Sequence, residues 1–174
     1  MLNIRRGVFE TNSSSSHSIV MTNKEHKIEQ VDPGWRIRDD GELWFNWYEE
    51  LHFGRTPFEL LTDWYGRLRY YIAEFIDGEG PELDELTEIC RKRIDGFDHF
   101  KFPVNTWDDT IDYGYVDHQS SGMLRNFIGN HNLSAEDFIF NDQYIIVIDG
   151  DEYNVFDTLQ KTPMYNADNV MEVY

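Results

Sequence analysis

Apolar positions along the chain follow two periods. From Ser18 to Met21 and from Tyr144 to Ile148 the residues form short apolar runs of the kind that become strands. Residues 34–47 alternate, with Trp35, Ile37, Leu43 and Phe45 on one face about an Asp40-Gly41 pair that tolerates the positive φ of a tight turn, so a hairpin is predicted there. A second hairpin is predicted from Tyr144–Ile148 through Asp149-Gly150 to Glu152–Phe156. The helical period is clearest over Pro57–Ile76, where Phe58, Leu61, Tyr65, Leu68, Ile72 and Phe75 recur at three- and four-residue steps. Thr56 is its expected N-cap, Pro57 its first residue and Glu59 the partner in a capping box. Further helices are predicted over 82–94, 122–130 and 135–138, the last capped by Ser134. This mixture predicts an α+β fold, an antiparallel sheet with two or three helices packed on one face, within a single domain over residues 1–174.

Composition then narrows the classes. The 174 residues suit one core. With 33 Asp plus Glu against 15 Lys plus Arg the formal charge is −18, which argues against a protein that coats nucleic acid or sits on anionic lipid. An aromatic content of 16% argues for a packed fold instead of a charged disordered chain. The charge is uneven: residues 1–101 carry 13 basic and 20 acidic side chains, whereas 102–174 carry 2 (Arg125 and Lys161) and 13. The C-terminal half, 102–174, is therefore acidic and aromatic at once. A single cysteine, Cys90, excludes an internal disulfide and disfavours a cysteine-based zinc site, and its place on an apolar helical stripe marks it as a core residue. No secretory signal or membrane-length apolar stretch is evident, so a soluble cytoplasmic protein is expected. The triplet Arg91-Lys92-Arg93 reads as a helix C-terminus, where the dipole favours cations.

Three constellations carry candidate chemistry. The Ser-rich segment 10–18 with its flanks offers Arg5, Arg6, Glu10, Ser13, Ser14, Ser15, Ser16 and His17, a donor-rich set that suits a phosphate or another oxyanion; the competing reading is a polar linker. In the stretch from Asp112 to Ser121, Asp117-His118 is followed by the hydroxyls of Ser120 and Ser121 and by a glycine, Gly122, that opens a predicted helix. Were His17 and His118 to meet, they would serve as general base and acid on a phosphodiester, with Glu10 and Asp117 in the same catalytic set and Arg5 or Arg6 on the developing charge. The competing reading makes them unrelated loop residues. Asp149-Gly150-Asp151-Glu152 suits a divalent cation, with His118 or Asp117 as a further ligand, but equally a solvated hairpin turn. No metal or other cofactor is required by these motifs, and no phosphate-binding glycine loop or dinucleotide fingerprint is present.

The stretches RRGVFETNSSSSHS, GYVDHQSSG and YIIVIDGDEY resemble segments of a group of small proteins from phages, prophages and plasmids of Gram-positive bacteria, covering about 35 of 174 residues. In size and acidity the chain is similar to anti-CRISPR proteins, which disable the RNA-guided DNA nuclease of type II systems. The resemblance implies a mobile-element inhibitor of a host-defence nuclease acting in the bacterial host cell, with that nuclease or its guide-RNA complex as partner. Its acidic surface would stand in for nucleic acid through Asp108, Asp109, Asp112, Glu136, Asp137, Asp142, Asp151 and Glu152. Two alternatives remain open: a phosphodiesterase or ribonuclease built on the His/Arg/Ser set, and a phage structural or assembly protein.

Overall fold

The computed structural model describes residues 16–22, 36–46, 50–54, 59–118, 120–149 and 170–173. Its elements in chain order are β1 (Ser16–Thr22), β2 (Glu42–Trp44), β3 (His52–Phe53), β4 (Glu59–Leu61), α1 (Trp64–Phe75), α2 (Pro81–Arg93), β5 (His99–Lys101), β6 (Tyr115–Val116), α3 (Met123–His131), α4 (Ala135–Phe140), β7 (Tyr144–Asp149) and β8 (Val170–Val173). Helices and strands are thus mixed, as an α+β fold requires. Strand pairing is more varied than a single antiparallel sheet. Strands β4, β7, β1 and β8 pair antiparallel in that order, while β2–β5 and β3–β6 are parallel two-stranded ladders.

The apolar run of β7 explains its place. Tyr144 to Ile148 are buried in succession, as expected of a strand flanked on both edges and covered on both faces. One edge pairs with β1 in a register that sets His17 opposite Ile148, and the other with β4, Leu60 opposite Val147. Ile19, Leu61, Leu68, Tyr70, Ile72, Leu124, Phe127 and Phe138 complete the core around Ile146 and Ile148.

The long helix predicted from Pro57 starts later than its apolar stripe suggests. Glu59–Leu61 is strand β4, and α1 begins at Trp64 after Asp63, whose Oδ1 accepts from the Gly66 amide at 2.7 Å. Pairing with the edge of β7 satisfies backbone groups that a first helical turn would leave open, and Asp63 is itself a good N-cap. Thr56 and Pro57 lie outside the described residues. The predicted hairpin at Asp40-Gly41 survives as one antiparallel bridge, Ile37 to Leu43, with Gly41 at φ +86°. The strand predicted at Glu152–Phe156 lies outside the described residues. Helices α2, α3 and α4 match their predicted spans to within two residues, and Ser134 and Asp137 form a reciprocal capping box.

Helix α1 is the hub of the polar clusters. It packs against α3, α4, β3, β4 and β6, while α3 packs on β1. Residues of β1, α1 and the turn after β6 therefore converge.

Candidate functional site

Two polar clusters flank α1. The first is buried and centred on His17. Its backbone amide donates to Ser120 Oγ at 3.0 Å, and its Nδ1 lies 2.8 Å from the Tyr70 hydroxyl. Ser120 belongs to a turn held by its own amide and that of Ser121, both donating to the Asp117 carbonyl, at 2.9 and 2.8 Å. His17, Tyr70, Asp117 and Ser120 are all buried. Burial lowers the His17 imidazole pKa to about 4, against a smaller opposing pull from the Asp117 carboxylate. At neutral pH His17 is therefore uncharged.

One turn along α1, Glu74 continues the network. Its carboxylate accepts from the Gly122 amide at the start of α3, and Arg125 Nη2 donates to the Glu74 carbonyl at 2.6 Å. Burial pushes the Glu74 pKa up, opposed by the Gly122 amide and by Arg125. The same burial, with Glu74 nearby, pushes the Tyr70 phenol up, so the hydroxyl facing His17 keeps its proton.

The second cluster is open. A cleft of about 510 Å³ is lined by Glu74, Phe75 and Arg125 on one side, by His52 and Tyr115 on another, and by Asn105, Thr110 and Ile111 from the loop before β6. Parallel pairing of β3 with β6 sets His52 opposite Tyr115, and His52 Nε2 lies 2.8 Å from Asp112 Oδ2. Gly114, at φ +82°, makes this register possible: a Cβ there would run into the Leu51 carbonyl oxygen.

The candidate residues read from the sequence are thus distributed unevenly. Asp117 is shared by both histidines, acting electrostatically on His17 and lying 3.5 Å from His118 Nδ1. The two imidazoles differ in setting, since His17 is buried and the His118 side chain is 84% exposed. Ser16 opens β1, while Arg5, Arg6, Glu10, Ser13, Ser14 and Ser15 lie outside the described residues, as do Asp151 and Glu152. Among the described residues no group of three or more His, Cys, Asp or Glu is placed to hold a metal ion.

Of the acidic candidates, several already serve the fold. Glu136 pairs with Arg93 at 3.0 Å, Asp137 caps α4, Asp112 holds His52, and Asp142 lies in the turn between α4 and β7, within electrostatic reach of buried Arg67. Asp108 and Asp109 are exposed on the loop that borders the cleft. Hydrogen bonds from the Thr110 hydroxyl and amide, at 2.7 and 3.1 Å, hold the Asp108 carboxyl below the usual carboxylate range.

No family model, curated protein or solved structure matches the chain. The chemistry is accordingly that of the residues themselves. The His17 cluster ties β1 to α1 and to the turn before α3, and an imidazole held neutral by burial has no proton to give as a general acid at neutral pH. Tyr70 and Glu74 escape a reading of the sequence, because nothing local distinguishes a phenol or carboxylate on a helix that will face a histidine; Ser120 is legible as a hydroxyl after Asp117-His118, but its bond to the His17 amide is not. Trp107 is equally unmarked, although its neighbours Thr106, Asp108, Asp109 and Thr110 leave it without an apolar stripe to join. Among the described residues no helix is long and apolar enough to cross a membrane.

Proposed function

We propose that the protein acts by binding, as an acidic inhibitor of a nucleic-acid-handling protein of host defence. The partner implied by the resemblance is the guide-loaded DNA nuclease of type II CRISPR systems. One contrast carries the reading. His17, the sequence's best candidate for acid–base work, is buried and uncharged against Tyr70, whereas Asp108, Asp109 and Asp137 face solvent on a chain of charge −18. Carboxylates so presented take the place of phosphates beside the Lys and Arg that line a nucleic-acid channel. The test is association of the purified protein with the guide-loaded nuclease at low and high salt, beside DNA cleavage. Inhibition with an affinity that falls as salt rises is expected; equal affinity at both salt concentrations excludes the mechanism.

A second reading draws on the Asp117–His118 pair, a buried carboxylate 3.5 Å from an exposed imidazole, an arrangement that would suit a phosphodiesterase. Cleavage of guide RNA that disappears in His118→Ala would favour it. Intact RNA with and without Mg²⁺ or Mn²⁺ would remove it.

A further inference from the structure

The large hydrophobic side chains that stay exposed among the described residues are Val104 at 46%, Trp107 at 92%, Ile111 at 43% and Tyr115 at 48%. All four lie on one segment, 104–115. The same segment is single-signed: between Lys101 and Arg125 the chain has Asp108, Asp109, Asp112 and Asp117 and no Lys or Arg.

Its backbone is firmly held. Val104 bridges Ile111, the Asn105 amide donates to the Thr110 carbonyl at 2.8 Å, and the Asp109 amide returns to the Asn105 carbonyl at 2.9 Å. Asn105 Oδ1 accepts from the Trp107 amide at 2.9 Å, and Asp108 Oδ1 from Thr110. The Asp112 amide donates to the Pro103 carbonyl at 2.9 Å and closes the loop. Asp109 takes a left-handed φ of +58° to make the turn. So much local bonding spent on holding an indole in water stabilises no core. A tryptophan presented to solvent on a backbone already held in place is, however, the residue type that dominates protein interfaces, on a loop that need not be ordered on binding.

We infer that segment 104–115 is the anchor of partner binding, with Trp107 entering an apolar socket on a basic protein surface and Asp108 and Asp109 meeting Lys or Arg at its rim. The inference rests on the proposed binding function and names its contact. Charge complementarity selects this occupant. A second copy of the chain would bring the same aspartates face to face in a two-fold contact, and a nucleic-acid strand, on whose bases an indole can stack, would be repelled by them. Beside Trp107 the loop supplies Asn105, Thr110 and Ile111 to the 510 Å³ cleft, so the surface offers both a projecting ring and a recess.

The experiment measures affinity of the full chain for the guide-loaded DNA nuclease. Trp107→Ala should weaken binding at least about thirtyfold at both low and high salt, as loss of an interface hot spot does. Asp108→Asn with Asp109→Asn should weaken it at low salt and much less at high salt. Because Trp107 is exposed, the urea midpoint of Trp107→Ala should equal that of wild type. Full affinity in Trp107→Ala overturns the inference and leaves the acidic-inhibitor reading standing. Absence of wild-type binding removes both. Self-association of the free protein that Trp107→Ala abolishes assigns the surface to a second copy and also overturns it.

Discussion

At His17 the imidazole sits edge-on to the Tyr70 ring, 5.6 Å between centroids, and is kept neutral by burial at a pKa of about 4 against 6.5 in an exposed site. Between pH 6.5 and 4 the unfolded chain binds a proton at this position that the folded chain refuses, so stability is full above pH 6.5 and falls on acidification. Between pH 7 and pH 5 the loss should be about 2 kcal/mol. Urea unfolding across that range should show it, and His17→Gln should flatten the dependence; an unchanged slope would mean that His17 is not what titrates. The Cys90 thiol, pushed up to about 12 by burial, should stay unreactive towards iodoacetamide until the protein unfolds. Cys90 is legible as a core residue from its helical stripe alone. The partners of His17 are not, because Tyr70 and Ser120 lie 53 and 103 residues away and only the tertiary fold joins them.

Among the elements, α1 and β7 are joined by a buried cation. Arg67 is fully buried; its Nε donates to the Ile139 carbonyl at 2.8 Å, and its Nη1 to the carbonyls of Thr62 and Tyr144 at 2.8 and 3.0 Å. It thereby satisfies the C-terminal end of α4, the residue before the α1 cap and the first residue of β7 together. Desolvation lowers its pKa to about 10, opposed by Asp142 and Asp63, so it remains charged at neutral pH. Arg67→Lys keeps the charge but offers no fork, and should cost about 2 kcal/mol in urea unfolding. Arg67→Met should cost about 3 kcal/mol or more, because three carbonyls then lose their donor. Helix ends governed by local chemistry are readable in the sequence: Ser134 at the start of α4 and Ile76 at the end of α1. Strand partners are not. Leu61 fits a helical stripe as well as a strand, and only the open edge of β7 decides between them. The parallel ladders escape sequence patterning for the same reason, being two or three residues long. Gly114 carries one of them, so Gly114→Ala should separate β6 from Leu51 and lower the thermal midpoint, with His52 and Asp112 displaced from the cleft.

For the molecule as a whole, charge acts with opposite sign on folding and on binding, and that opposition is testable. A chain of −18 repels itself when compact, and the repulsion is screened as the Debye length shortens from about 30 Å at 0.01 M salt to about 8 Å at 0.15 M. The urea midpoint of the free protein should therefore rise with added NaCl over this range, with most of the gain below about 0.15 M. Association with a basic partner should weaken over the same range, because the attraction it uses is screened by the same ions. The apolar contact of Trp107 is indifferent to screening, so its contribution persists at high salt while that of the carboxylates is lost. Wild-type protein and the Asp108→Asn, Asp109→Asn double variant should converge in affinity as salt rises, and wild-type protein and Trp107→Ala should stay separated by a constant factor. Were both variants to converge on wild type, the interface would be electrostatic throughout, and the exposed indole would have no part in it.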